Sequence, residues 1–95
     1  MFIVSLTYTV DLAEVDLHIE AHIAYLDKYY AAGNFIASGR KEPRTGGVIL
    51  AQAESKMALD NILQEDPFAK AGIARYKVTE FIPTKMVSEF KALLS

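Results

Sequence analysis

The first residues of the chain alternate in a way that predicts a β-strand. Along 2–9 the side chains divide between two faces, Phe2, Val4, Leu6 and Tyr8 on one and Ile3, Ser5, Thr7 and Thr9 on the other. A period of two with several β-branched residues is typical of a strand that packs one face on a core.

The pattern then changes to a helical period. From about 15 to 32 apolar residues recur at helical spacing, at Val15, Ile19, Ile23, Leu26 and Tyr30. Gly33 follows, and glycine is a common helix end. A second, shorter helix is predicted after Ser55, a good N-cap residue, with its apolar face at Leu59, Ile62 and Leu63. We expect Pro67 to end it.

Three further strands and a tail helix complete the pattern. Residues 34–41 and 48–53 are predicted strands, and the intervening "EPRTGG" contains turn residues, so the two should form a hairpin. Residues 73–82 predict a fourth strand. The last segment, 83–95, begins with proline and predicts an amphipathic helix with apolar positions at Met86, Val87, Phe90, Leu93 and Leu94.

The order strand, helix, strand, strand, helix, strand predicts an α+β domain of the ferredoxin-like type, spanning 1–95 as a single unit. Two helices can cover only one face of the antiparallel sheet. Simple alternation gives the other face a mixed set of residues: Ile3, Ser5, Thr7, Ile36, Ser38, Arg40, Arg75, Lys77 and Thr79. We therefore expect a homodimer in which a second copy of the sheet covers this face.

Composition excludes several classes of protein. The chain has 52% apolar and 23% charged residues, which is typical of a globular domain. It has no cysteine, so disulfides and thiolate chemistry are excluded. Its net charge is −2, without the concentrated positive charge that nucleic-acid backbones require. No apolar run approaches the roughly 20 residues that span a bilayer. These features favour a cytoplasmic protein without nucleic-acid or membrane partners.

His22 is the more informative of the two histidines. On the first predicted helix it falls at the rim of the apolar face, with Tyr25 further round on the same side. A half-buried imidazole that can reach a substrate is suited to acid–base catalysis. The simpler interpretation is a histidine that hydrogen-bonds a neighbouring carbonyl group. His18 and His22 also have the i, i+4 spacing of a metal-binding pair, with Asp66 or Glu14 as a third ligand, but this signal is weak, and we expect no bound transition metal.

Asp66 lies in "QEDPFAKAG", between the second helix and the fourth strand. It could form a turn, cap a helix or face another side chain, and an acidic residue before proline is common in turns. Five other residues could contribute to binding. Arg40, Arg44 and Arg75 could hold an anionic substrate, although each could equally be a solvated charge. The Ser38-Gly39 pair could leave backbone N–H groups free beside a pocket.

Three stretches taken together resemble a known family. "HIAYLDKYYAAGNFIASG", "EPRTGGVILA" and "DPFAKAGI" are similar to the YciI-like (YCII-related) family, and the resemblance extends from Met1 to about Pro83. It implies a ferredoxin-like fold that forms a dimeric α+β barrel. It also implies a His–Asp pair proposed as an acid–base centre, and one relative in chloroaromatic breakdown is a muconolactone dehalogenase.

Carried over by position, the resemblance makes His22 and Asp66 the catalytic pair. Ser38, Gly39, Arg40 and Tyr25 are then the expected substrate-binding residues. Relatives often have Gly-Pro where this chain has Gly39-Arg40, so Arg40 is expected to change the mouth of the cleft.

The sequence thus predicts a small-molecule enzyme that uses a His–Asp pair for proton transfer, without a cofactor. A lyase, isomerase or dehalogenase acting on a lactone-like metabolite fits this prediction. Two alternatives stay open: a ligand-binding module that uses His22 only as a hydrogen-bond partner, and a structural or regulatory dimer of the same fold.

Overall fold

The computed structural model describes residues 1–94 and has nine helices and strands in that range. In chain order they are β1 (Phe2–Tyr8), α1 (Leu12–Asp16), α2 (Ile19–Ala31), β2 (Phe35–Arg40), β3 (Gly46–Ala51), α3 (Lys56–Leu63), α4 (Pro67–Lys70), β4 (Ala74–Glu80) and α5 (Ser88–Lys91). The strands form one sheet in the order β2-β3-β1-β4, and every neighbouring pair is antiparallel. This is the ferredoxin-like arrangement that the sequence predicts.

One face of the sheet packs against the helices. The core combines inward-facing residues of the strands with residues of α1 to α4, and its buried members include Phe2, Val4, Leu6, Val15, Tyr25, Tyr29, Ile49, Leu59, Leu63 and Phe68. Burial of about ten such side chains is the main stabilising contribution to a domain of this size. The opposite, open face carries Ile3, Ser5, Thr7, Val48, Leu50, Arg75, Lys77 and Thr79.

The predicted helix over 15–32 is two helices. α1 ends at Asp16, and α2 begins at Ile19 after His18, which has φ −112° and ψ 0°. The sequence has neither proline nor glycine at this break, and the apolar period continues through it. The prediction of a continuous helix was therefore wrong for a reason that periodicity cannot reveal.

The buried side of α2 also differs from the predicted one. Tyr25 and Tyr29 are buried, whereas Ile23 is 51% and Tyr30 37% exposed. The rings of Tyr25 and Tyr29 pack against Phe35 at 5.7 and 5.5 Å, and their hydroxyl groups reach acceptors near the end of α3. Two aromatic rings with satisfied hydroxyls bury more apolar surface than isoleucine does, so the tyrosines take the core side.

A β-bulge changes the predicted faces of β2. The pairing of β2 with β3 shifts between Phe35 and Ala37, after which Ser38 pairs with Ile49 and Arg40 with Gly47. Both partners lie on the helix-covered side, since they also pair with Val4 and Leu6. Simple alternation had placed Ser38 and Arg40 on the open face. That prediction was wrong because the extra residue of a bulge reverses the direction of every side chain after it.

Two helices are shorter than predicted. The helix that was expected to end at Pro67 ends at Leu63. Pro67 instead begins α4, at the first helical position, where proline's missing N–H costs nothing. In the predicted tail helix only Ser88–Lys91 is helical, and Ser95 lies outside the described residues. Within 1–94 no helix is both long and apolar enough to cross a membrane.

Gly46 is required where β3 runs beside β1. A Cβ at this position would lie 1.8 Å from the carbonyl oxygen of Leu6 and 2.8 Å from its carbonyl carbon. Backbone atoms cannot move aside as a flexible side chain can, so the strands would have to separate. Gly39, in contrast, has open space around its Cβ direction.

We therefore expect Gly46→Ala to lower the free energy of unfolding by about 1–3 kcal/mol, as overpacking does elsewhere. Gly39→Ala is the matched control, also a glycine in a strand, and should change it by less than about 0.5 kcal/mol. Urea unfolding of both variants measures the difference. Equal effects would show that the contact with Leu6 does not constrain position 46.

Candidate functional site

His22 lies in the first half of α2, and its ring is hydrogen-bonded to Asp66. The imidazole Nδ1 is 2.7 Å from Asp66 Oδ1, and the side chain of His22 is 13% exposed. An ionised carboxylate can only accept, so Nδ1 carries the proton of this bond. The other nitrogen, Nε2, is then the acceptor of the neutral ring.

Asp66 combines the roles that its sequence position left open. It is the N-cap residue of α4, and its Oδ1 accepts a hydrogen bond from the backbone N–H of Phe68 at 3.0 Å. The same oxygen accepts from His22, while the side chain is completely buried. Pro67 fixes the first helical position of α4 between the cap and Phe68. Asp66 thus forms the turn, caps α4 and binds His22 at the same time.

Phe68 fixes the plane of the imidazole. Its ring stacks on His22 with centroids 4.0 Å apart and planes only 7° from parallel. Tyr25 lies 6.1 Å from the histidine ring at a tilt of 32°. The "Asp-Pro-Phe" stretch therefore supplies both the hydrogen-bond partner and the stacking partner of His22, so three consecutive residues determine its orientation.

Tyr76 joins His22 and Asp66 in one hydrogen-bonded group, and sequence reasoning did not identify it. Its hydroxyl donates to Asp66 Oδ2 at 2.5 Å. Burial raises the pKa of Tyr76, and the hydrogen bond and negative charge of Asp66 raise it further. The hydroxyl therefore stays protonated as a donor. A possible signal was its position in β4, where Tyr76 faces inward together with Val78, because a buried tyrosine hydroxyl needs a partner.

The three donors give both oxygens of the carboxylate a hydrogen bond, whereas only one nitrogen of the histidine is bonded. Among residues 1–94, no buried side-chain nitrogen or oxygen lacks a hydrogen-bond partner. In the same range only Nδ1 of His22 has a hydrogen-bond partner. Because no buried nitrogen of the described residues lacks a partner, Nε2 must be accessible to solvent. The geometry suits a histidine that accepts or returns a proton at Nε2 while Asp66 holds Nδ1.

A cleft of about 410 Å³ opens beside His22. Its walls are largely apolar, with Ile19, Ile23 and Leu26 from α2 on one side and Leu6 and Ile49 from the sheet on another. Ile19 and Leu26 also pack against the core, whereas Ile23, which is 51% exposed, lies at the cleft. The volume fits a ligand about the size of a substituted six-membered ring.

The predicted binding residues divide between the cleft and the core. Ser38, Gly39 and Arg40 line the cleft, as does Arg44. The Ser38 hydroxyl also bonds the Tyr30 hydroxyl at 2.7 Å. Tyr25 does not line the cleft: it is 6% exposed, and its hydroxyl donates to the carbonyl of Ile62 at 2.9 Å. Its burial, followed by the charge of Asp66, raises its pKa.

The arginines that the sequence left open also divide. Arg40 and Arg44 reach the cleft, whereas Arg75 pairs with Thr7 on the open face.

The described residues contain no group of three His, Cys, Asp or Glu side chains that could hold a metal ion. His18 precedes α2 as its N-cap residue, and Nδ1 of His22 is already bonded to Asp66.

A polar cluster next to the site ties α2 to the segment that carries Asp66. Glu65 accepts hydrogen bonds from Lys28 Nζ at 2.8 Å and from the Tyr29 hydroxyl at 2.5 Å. These bonds lower the pKa of Glu65 and raise the pKa of Lys28 and of Tyr29. Because Glu65 directly precedes Asp66, the cluster fixes the approach of the two segments whose side chains meet at His22.

The fold and the site define a ferredoxin-like α+β protein with a histidine–aspartate pair at an apolar cleft. The family is identified by sequence: residues 1–82 match the YCII-related domain, and the chain belongs to this family. No curated protein sequence matches the chain.

Among solved structures, the chain is similar to 5-chloro-2-hydroxyhydroquinone dehydrochlorinase from Burkholderia phenoliruptrix AC1100, in a complex with 2,5-dihydroxybenzoquinone. The TM-score is 0.73 at 23% sequence identity, over 85% of this chain and 92% of the dehydrochlorinase chain. At this identity the similarity establishes the shared fold.

The Asp66–Tyr76 bond leads to a stability prediction. Tyr76→Phe keeps the packing but leaves a buried carboxylate oxygen without its donor, and we expect a loss of about 1–3 kcal/mol in the free energy of unfolding at pH 7. Because folding raises the pKa of Tyr76, this contribution is present below about pH 10 and is lost as the pH rises further. The gap between the two proteins should therefore narrow above pH 10.

Tyr30→Phe is the matched control, since it removes a hydroxyl that bonds Ser38 at the exposed surface. It should cost less than about 0.5 kcal/mol. Urea unfolding at pH 7 and above pH 10 gives both quantities. A loss for Tyr76→Phe no larger than for Tyr30→Phe would contradict the proposed importance of the buried donor.

Proposed function

We propose that the protein is a small-molecule enzyme in which His22 transfers a proton and Asp66 orients and stabilises the imidazole. The observation that carries the proposal is the 2.7 Å bond between His22 Nδ1 and a fully buried Asp66, at the wall of a cleft that admits a small molecule. Membership of the YCII-related family supports it further.

The proposed step begins with the neutral imidazole. Nε2 removes a proton from a carbon or hydroxyl group of the substrate, and the ring becomes an imidazolium. Asp66 stabilises this cation through Nδ1 without taking the proton itself, as a carboxylate does in other His–Asp pairs. The stacked ring of Phe68 prevents rotation, so Nε2 keeps one direction throughout. The imidazolium then returns the proton to another substrate atom or to water.

The structural similarity suggests which reactions to test. A dehydrochlorinase removes a proton and a chloride ion from its substrate, and one base in an apolar cleft can begin such an elimination. The same base would also serve an isomerase that moves a proton within a lactone. We therefore place the reaction among eliminations and isomerisations of small oxygenated rings, with a lactone-like metabolite or a hydroxylated halogenated ring as substrate.

Two assays test this proposal. One follows chloride release from 5-chloro-2-hydroxyhydroquinone, and the other follows hydrogen–deuterium exchange of muconolactone in D₂O by NMR. We expect catalysis of at least one reaction over the protein-free rate. His22→Gln should lower that rate by about 10²- to 10⁴-fold, the usual contribution of a general base. Asp66→Asn should lower it by about 10²-fold or more, because the ring loses its anionic partner.

His18→Gln is the control, because it changes the other histidine, which lies outside the cleft lining. Its rates should equal those of the unaltered protein. If His22→Gln retained the full rate, His22 would not be the base. If neither substrate reacted yet the 2,5-dihydroxybenzoquinone of the neighbouring structure bound in the cleft, the ligand-binding alternative would replace the enzyme.

We further propose that the protein works as a homodimer whose sheets meet at their open faces. This face places Ile3 at 40% and Val48 at 38% exposure among hydroxyl and charged side chains, in the middle of the sheet. Isolated apolar residues are common on surfaces, but apolar residues at the centre of a sheet favour contact with a second sheet.

Light scattering at micromolar concentration should give twice the chain mass. Ile3→Lys places a charge at the centre of the proposed interface and should give monomers. Leu17→Lys also replaces an exposed apolar residue, 80% exposed at the α1–α2 break, and should leave the dimer intact. A monomer mass for the unaltered protein would rule out the dimer.

A further inference from the structure

The cleft beside His22 has a charge opposite to that of the whole chain. The protein carries a net charge of −2, yet no Asp or Glu side chain lines the cleft. Its charged lining residues are Arg40 and Arg44, and the only carboxylate of the catalytic group, Asp66, is completely buried behind His22. The charged residues that line the cleft are therefore both positive.

The two arginines reach the cleft for identifiable structural reasons. The bulge between Phe35 and Ala37 turns Arg40 to the helix-covered side of the sheet. Arg44 belongs to the β2–β3 connection, and its Nη2 contacts Asp16 at 2.6 Å, which ties this connection to the end of α1. The backbone thus places both arginines at the cleft.

Both arginines keep donors for a ligand. A guanidinium has five N–H groups, and the ion pairs use only part of them: Arg44 contacts Asp16 through Nη2, and Arg40 contacts Glu42 through Nε at 3.2 Å. Arginine is well suited to a planar anion, which it can bind through two parallel hydrogen bonds. The side chain of Arg44 is only 31% exposed, so its charge is screened less than that of a free surface residue.

We propose that the substrate is a small anion, a ring or short chain with a carboxylate or ionised enol, whose negative group is bound by Arg40 and Arg44. Its apolar part lies against Ile19, Ile23 and Leu26, which brings the remaining atoms to Nε2 of His22. This proposal rests on the proposed function and names the chemical class of its substrate. It also assigns Arg40 to specificity for that class.

Binding of two simple probes tests the assignment without requiring catalysis. Benzoate and benzyl alcohol have the same ring, and only benzoate is charged at pH 7. Amide NMR titration should show that benzoate shifts Gly39 and Gly47 in the cleft and binds at least about tenfold more tightly than benzyl alcohol, the ratio expected for a charge-assisted hydrogen bond. Added NaCl should reduce this preference.

Four variants locate the binding group and separate it from catalysis. Arg40→Gln and Arg44→Gln should each weaken benzoate binding by about three- to tenfold and leave benzyl alcohol binding unchanged. Arg75→Gln, on the open face, is the matched control and should change neither. His22→Gln should retain benzoate binding while losing catalysis, so failure of the anion site and failure of the proposed function are distinguished.

Three results would overturn the proposal. The first is equal affinity for the two probes, including the absence of binding by both at millimolar concentration. The second is an unchanged benzoate affinity in the variant with both Arg40 and Arg44 replaced by glutamine. The third is an equal loss of benzoate affinity in Arg75→Gln, which would attribute the preference to the net charge rather than to the cleft.

Discussion

A carboxylate without access to water must find its hydrogen-bond donors within the protein, and Asp66 is such a group. An unpaired buried charge costs several kcal/mol, so the fold is stable only if donors converge on it. They come from three separate elements: the ring of His22 in α2, the backbone of Phe68 in α4 and the hydroxyl of Tyr76 in β4. The relative positions of these elements are therefore tied to one another through a single side chain.

This constraint makes the candidate site and the folding core difficult to separate. Phe68 is buried in the core and also stacks on His22, and Tyr25 packs on Tyr29 and Phe35 while lying beside the same imidazole. A ring held in this way loses little conformational freedom when a ligand arrives, which is the property that acid–base catalysis requires of its base. The price is reduced tolerance of substitution, since a change at Asp66 affects both folding and chemistry.

The sequence predicted the parts of this arrangement that are set by local pattern. Alternation and helical period identified four strands in the right order, and the family motifs paired His22 with Asp66 across 44 residues. Local reasoning alone left Asp66 as a turn, a cap or a partner, because the spacing of residues in sequence does not tell which side chains meet. The contact between α2 and α4 makes all three descriptions true together.

The remaining differences between sequence and structure have a common physical origin. Tyr76 was overlooked, and Tyr25 lies in the core instead of the cleft lining, because a tyrosine's position depends on where its hydroxyl finds an acceptor, which only the folded chain decides. In β2 the pairing with β3 shifts by one residue after Phe35. The stretch "NFIAS" contains no glycine or proline from which this bulge could have been predicted.

That slip has the largest consequence for function. Without it, Ser38 and Arg40 would lie on the open face with Lys77 and Arg75, and the cleft would lose one of its two arginines. With it, Arg40 lies on the same side of the sheet as His22 and Arg44. Meanwhile the carboxylate of Asp66, which would repel an anion, is hidden behind the imidazole that it orients. One inserted residue in a strand and one buried acid thus give an acidic protein a cleft whose charged lining residues are both arginines.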